Sequence, residues 1–292
     1  MTHGSRFVKA APWIFVALWS TGFVVARYGT DDAGPFTFLA IRLAVAAALL
    51  AAVAAATGAP RPTRRQLSWA GVAGLGIHAA YLGGVFVAIS WGMPSGVSAL
   101  IAGLHPVLTS AAGRLVLDER LRPLQWLGVA LGFTGVTAVV VDHFLGGAGD
   151  LTAGALLASA ISVLGMSTGT LVQRRRGSFT PLLWGTAVQY FAASAVLAVA
   201  AAVHQGEGFH VTARSLFALA WAVGVLSIAA VLIMLWLLQR EAAAQVSSLF
   251  FLTPALSTLE GAALFGESLG PWAIVGLVIA GVGVSLTARS TL

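Results

Sequence analysis

Residues 106–135 read PVLTSAAGRLVLDERLRPLQWLGVALGFTG, and residues 254–283 read PALSTLEGAALFGESLGPWAIVGLVIAGVG. Pro106, Leu108, Gly113, Glu119, Leu121, Pro123, Gly128 and Gly135 each recur 148 positions later, as Pro254, Leu256, Gly261, Glu267, Leu269, Pro271, Gly276 and Gly283. Further out, Ser20-Thr21-Gly22 and Arg27 return 147 positions later as Ser167-Thr168-Gly169 and Arg174. One unit is written twice, and the copies divide the chain into residues 1–146 and 147–292.

A helix that crosses a bilayer needs roughly 20 mostly apolar residues. Ten such segments stand near 12–29, 36–57, 69–90, 94–117, 124–141, 151–172, 181–203, 215–238, 242–265 and 271–288. The links between them are short and carry helix-stop chemistry, as in Asp31-Asp32-Ala33-Gly34-Pro35, Gly58-Ala59-Pro60-Arg61-Pro62, Met93-Pro94 and Gly146-Gly147-Ala148-Gly149. Five spans per copy is an odd number, so the second copy must enter the membrane upside down relative to the first. The expected fold is therefore an all-α integral membrane protein, ten transmembrane helices forming two inverted five-helix repeats around a central cavity. Alternating-access transporters are built on that geometry.

Composition leads to the same class. With 58% hydrophobic residues, 9% charged residues and a mean hydropathy of +0.91, 292 residues cannot hide their apolar surface in one water-soluble core. A net charge of +6 would suit a nucleic-acid binder, but the basic residues sit at helix ends and form no groove-sized patch, so no nucleic-acid partner is expected. With the N-terminus inside, the loops on that side hold Arg6, Lys9, Arg61, Arg64, Arg65, Arg114, Arg120, Arg122, Arg174, Arg175, Arg176, Arg240 and Arg289, against Arg27 and Arg214 opposite. Thirteen against two places both termini in the cytoplasm of a multi-pass protein of the inner (plasma) membrane. No small-residue cleavage site follows Arg6 and Lys9, so the first apolar run reads as a retained helix. There is no cysteine, which excludes disulfides and thiolate metal sites, and no cofactor or metal is expected.

Arg114 to Val136, with Asp118-Glu119, Leu121, Pro123, Trp126, Gly128 and Gly135, resembles the signature around helices four and five of the drug/metabolite transporter superfamily, ten-helix EamA type. Pro254 to Gly283, with Gly266-Glu267, Pro271, Gly276 and Gly283, is similar to the same signature, and Phe36 to Arg42 to that family's second helix. Around Trp19 to Phe23 and Leu104 to Pro106 the chain is most similar to the YddG-type exporters of aromatic and other amino acids. The resemblance implies a basket of helices around a cavity lined by spans one, three, four, six, eight and nine, through which small metabolites leave the cytoplasm.

Polar side chains deep in a membrane are costly and mark function. Span three places His78 and Tyr81 three residues apart on one face. In span four His105 precedes Pro106, which removes a backbone hydrogen bond and is expected to kink the helix; the counterpart in span nine is Thr253-Pro254, and the two breaks form the expected hinge pair. An amino-acid cavity needs partners for an ammonium and a carboxylate beside an apolar wall. Trp19, Ser20 and Thr21, then Met166, Ser167 and Thr168, and Trp236 are the candidates for it. Small-residue stripes, Gly128, Gly132 and Gly135 in span five and Gly276, Ala280, Gly281 and Gly283 in span ten, are expected to join the halves, with dimerisation as the competing use; a working monomer is expected. Arg42 lies about 9 Å below the start of span two at 1.5 Å per residue. Glu260 lies at a similar depth in span nine, and their repeat equivalents, Gln189 and Ala112, are both uncharged. Arg42 and Glu260 are expected to be electrostatic partners, direct or through an intermediary, near the outer gate.

The expected function is export of small metabolites, aromatic and other amino acids foremost, by alternating access. A multidrug or other metabolite exporter driven by a proton gradient is the alternative, although span one has no carboxylate in its membrane interior to carry the proton. Facilitated export fits better, His78 and His105 serving as neutral hydrogen-bonding partners. The chain has no cluster of buried basic residues for a nucleotide sugar, none of the hydrolase motifs of an intramembrane enzyme, and neither a charge ring nor a filter loop of a channel.

Overall fold

A computed structural model describes residues 3–117, 123–145, 152–177, 180–204, 208–238, 252–267 and 270–289. Asp118-Glu119, Arg120, Arg122, Arg240, the 146–149 link with the boundary between the copies, and residues 242–251 at the start of span nine lie outside the described residues.

Helices fill the described chain. They are α1 (His3–Asp32), α2 (Pro35–Ala56), α3 (Arg64–Ser90), α4 (Ser95–Ala102), α5 (His105–Leu117), α6 (Pro123–Leu145), α7 (Ala153–Val172), α8 (Leu182–Val203), α9 (Ala213–Trp221 continuing through Ala222–Ala230 to Val231–Leu238), α10 (Thr253–Phe265) and α11 (Pro271–Arg289). Proline at the first position, where its missing N–H is harmless, opens α2, α6 and α11. Capping boxes open α3 and α9: the Thr63 hydroxyl accepts from Gln66 N while Thr63 N donates to Gln66 Oε1, and Thr212 and Ser215 repeat the exchange.

Among the described residues eight helices are long and apolar enough to cross a membrane, the last of them Ala213–Met234, and Ile274–Gly283 is a shorter apolar one. Their outer faces show large apolar side chains, Trp13, Phe191, Val203, Leu259 and Trp272 among them. In water that surface would be unstable; lipid is its solvent.

Two clasps draw the connections together at opposite ends. At one end Gly34 N donates to Gly208 O (2.9 Å), His210 N to Asp32 O (2.9 Å), and Arg214 pairs with Asp31 (3.0 Å) and Asp32 (2.8 Å). At the other, Trp184 Nε1 donates to Ala59 O (3.2 Å) and the Arg176 guanidinium lies over Trp69.

Helices pack in matched pairs. Along α2 and α8, Ser194 Oγ donates to Ala40 O (2.8 Å). α6 and α11 meet backbone to backbone: a Cβ on Gly276 would stand 2.5 Å from Gly135 O, and one on Gly283 2.6 Å from Gly128 O. The Gly276→Ala variant is expected to lose about 1–3 kcal/mol by overpacking. Gly281→Ala, with nothing within 4 Å, should be neutral or slightly stabilising. Thermal unfolding in detergent checks the pair.

Candidate functional site

The site begins with irregular helix. Within α3, Leu75–Ala80 forms a wide π turn, closed by the Tyr81 N–H on the carbonyl of Gly76, and Ala222–Ala230 of α9 forms another. Leu75 and Ala222 are 147 positions apart, so the wide turns fall at repeat-equivalent places. Such turns insert an extra residue and are enriched where proteins bind ligands.

Each wide turn receives a polar side chain from a neighbouring helix. Arg42 of α2 donates through Nε to Ser227 Oγ (3.1 Å) in the turn of α9. Gln189 of α8, the repeat equivalent of Arg42, meets the turn of α3, its Oε1 lying 3.2 Å from His78 Nε2. Gln189 Nε2 in turn donates to Gln173 Oε1 (3.4 Å), so Gln189 Oε1 is the acceptor and His78 Nε2 bears the proton. Tyr190 OH donates to Ser227 O (3.3 Å) and its ring meets His78 edge to face at 4.6 Å.

Of these groups, Arg42, His78 and Tyr190 line a cavity with about 650 Å³ of empty space, counting space continuous with the outside. Trp19 and Phe23 come from α1, Arg42 from α2, His78, Tyr81 and Phe86 from α3, Met166 from α7, Tyr190 from α8 and Leu226 from α9. A smaller adjoining cavity shares Trp19, Phe23, Tyr81 and Met166 and adds His105, Thr253 and Pro254. Arg42, only 7% exposed, is the sole ionic side chain among the described residues lining either one.

Of the residues singled out from sequence, Trp19, His78, Tyr81 and Met166 stand in the larger cavity, and His105, Thr253 and Pro254 in the smaller. Five placements are corrected: Ser20, Thr21, Ser167, Thr168 and Trp236 line neither cavity. Thr21 lines neither cavity, because its hydroxyl accepts from Trp221 Nε1 (3.0 Å) and donates to Leu18 O. Trp236 packs instead in an apolar cluster with Phe15, Val16 and Leu237.

Of the expected pairing of Arg42 with Glu260, direct or through an intermediary, the direct form is corrected. Ser227 takes Arg42, which stands in the cavity wall, whereas Glu260 Oε1 takes the Ser20 hydroxyl (2.6 Å) and Ser257 Oγ braces Ser20 O. Span four breaks at Gly103-Leu104, in the turn that precedes Pro106, and Pro106 occupies the first turn of α5. Pro106 lacks the N–H that would reach Ala102 O, and His105 Nδ1, 3.2 Å away, supplies the donor in its place. Phe23, Tyr190, Leu226 and Ser227 went unread in the sequence; Tyr190 beside the marked equivalent Gln189 was the one available clue.

Beyond the cavity, toward the Asp32 end, Glu267 ties three segments together. Its carboxylate accepts from Arg27 Nη1 (2.9 Å), Ser95 N (3.0 Å), Ser95 Oγ (2.8 Å) and Gly96 N (3.4 Å), joining α1, the N-terminus of α4 and the segment after α10. The free N–H groups of a helix start suit a carboxylate. Among the described residues no group of three His, Cys, Asp or Glu could hold a metal.

Comparison with known proteins gives matches along nearly the whole chain. Residues 10–141 and again 152–289 match the model of the EamA-like transporter family. The chain is 28% identical over 271 residues, 90% of its length and 85% of the relative's, to the "Uncharacterized inner membrane transporter YedA" of Escherichia coli strain K12. It is 26% identical over 286 residues, 93% of its length and 91% of the relative's, to the "Probable amino-acid metabolite efflux pump" of Salmonella typhimurium strain LT2. A protein solved by crystallography superposes with a TM-score of 0.67 at 23% identity, covering 96% of this chain and 97% of that one, a likeness of fold alone.

Proposed function

Since the chain belongs to the EamA-like transporter family, with one match in each half, we propose that it exports small metabolites, aromatic and other amino acids foremost, by alternating access. The observation that carries this reading is the cavity, where one buried guanidinium, hydrogen-bonding side chains and aromatic walls converge on one space. The relative from Salmonella typhimurium, called a "Probable amino-acid metabolite efflux pump", supports amino acids as the substrate class.

The mechanism we propose rests on ten spans in two inverted copies, working as a monomer in the inner membrane with both termini in the cytoplasm. Support comes from the pairing of repeat-equivalent helices, α2 with α8 and α6 with α11, and from the two wide turns at equivalent positions. Opening the Asp32 end requires Glu267 to release Arg27 and α4. The broken backbone at Gly103-Leu104 provides a bending point beside the cavity.

Reconstituted protein in liposomes is expected to move labelled phenylalanine, tyrosine and leucine down their gradients, at a rate unchanged by an imposed pH difference. Flux that appears only with a proton gradient, or dye efflux with no amino-acid flux, selects the drug-carrier alternative.

A further inference from the structure

Arg42 is a cation with unfinished bonding. Its Nε is engaged by Ser227, but neither terminal nitrogen has a hydrogen-bond partner among the described residues, and neither is sealed off from the cavity. A guanidinium held by one side presents its remaining fork to whatever enters, and a planar carboxylate matches that fork with two parallel bonds. Arg42 is buried, and at so buried a charge the attraction is strong.

The cavities offer an ammonium no counterpart of that kind. Among the described lining residues there is no carboxylate; Glu260 lines neither cavity and is held by Ser20. Glu267 is committed to Arg27 and the start of α4. Among the described residues an ammonium in the cavity meets only neutral acceptors, with the Arg42 charge repelling it.

We propose that Arg42 is the docking point for a substrate carboxylate, and that the cavity selects its substrates by that group and not by the ammonium. The inference rests on the transporter reading above and narrows it: carboxylates with an aromatic or apolar tail and no amino group enter as readily as amino acids, whereas amines without a carboxylate are excluded. Trp19, Phe23 and Tyr81 supply the surface for the tail.

Equilibrium dialysis of the purified full chain tests this with three labelled probes: phenylalanine, 3-phenylpropionate and phenethylamine. Phenylpropionate is expected to bind within about threefold of phenylalanine, and phenethylamine about thirtyfold more weakly, the worth of a charge-assisted bidentate contact. In Arg42→Gln the preference for carboxylate over amine should vanish, while Arg42→Lys should keep its sign and lose about tenfold in affinity. Size-exclusion profile and melting temperature show whether each variant is folded, and the wild-type comparison stands without them. Equal binding of amine and carboxylate, binding of none of the three, or a preference that survives in folded Arg42→Gln overturns the proposal. Phenylpropionate binding without amino-acid flux in liposomes counts against the transport reading and leaves the Arg42 site standing.

Discussion

Replacing Glu267 by alanine should open the Asp32 end of the molecule. The change leaves the Arg27 guanidinium, the Ser95 and Gly96 N–H groups and the Ser95 hydroxyl without the acceptor they share. The Glu267 side chain is 10% exposed and that of Arg27 39%, so part of the loss is made good by water at the arginine. A net destabilisation of this end of about 2–4 kcal/mol follows from stranding partly buried donors. Because the chain has no cysteine, a single one introduced at Leu82 in the cavity wall reports access without background. Labelling by an impermeant maleimide added from the Asp32 side should be faster in Glu267→Ala by about tenfold or more, each 1.4 kcal/mol being tenfold in a population. Unchanged labelling would reduce Glu267 to a structural brace and remove the gate from the proposed mechanism.

The second large effect is expected at Gly76. There α3 and α7 touch through their backbones, and a Cβ on Gly76 would stand 2.6 Å from Gly165 O and 2.7 Å from Gly169 Cα. Backbone atoms cannot yield as a side-chain tip does, so Gly76→Val must push the two helices apart. Apolar burial does not drive helices together in lipid, and close packing is most of what holds this pair. A loss of about 3 kcal/mol or more is expected, at the upper end of overpacking. Transport should fail with it, because His78 lies two residues beyond Gly76 in the same wide turn and Met166 follows Gly165 on α7. Gly224→Val is the matched control, a helical glycine with nothing within 4 Å. Melting temperatures near wild type for both variants would show that the contact at Gly76 is softer than its geometry indicates.

Much of the site was legible one residue at a time. His78, Tyr81 and Trp19 declare themselves because a polar or amphipathic side chain inside an apolar span needs a partner or a ligand. Arg42 was legible as a buried charge, yet its partner was not, since depth along two helices says nothing about which faces meet. Thr21 is two residues past Trp19 in the chain, and two steps along a helix turn the side chain by about 200 degrees. That turn delivers Thr21 to Trp221 instead of the cavity. Trp236 follows the wide turn of α9, and the extra residue there rotates everything after it relative to a regular helix, so counting by 3.6 from Leu226 fails.

The sequence by itself determined that this chain lives in a membrane, that it is one unit written twice, and which family's signature both copies carry. Those properties rest on hydropathy and on residues compared along the chain, and no knowledge of rotation or contact is needed for them. Only the tertiary structure decided that Ser227 and not Glu260 receives Arg42, that Glu267 clasps α1 to α4, and that two wide turns face one cavity. Each of these depends on how helices turn about their own axes, which is set by close contacts between residues far apart in sequence, glycine against backbone above all.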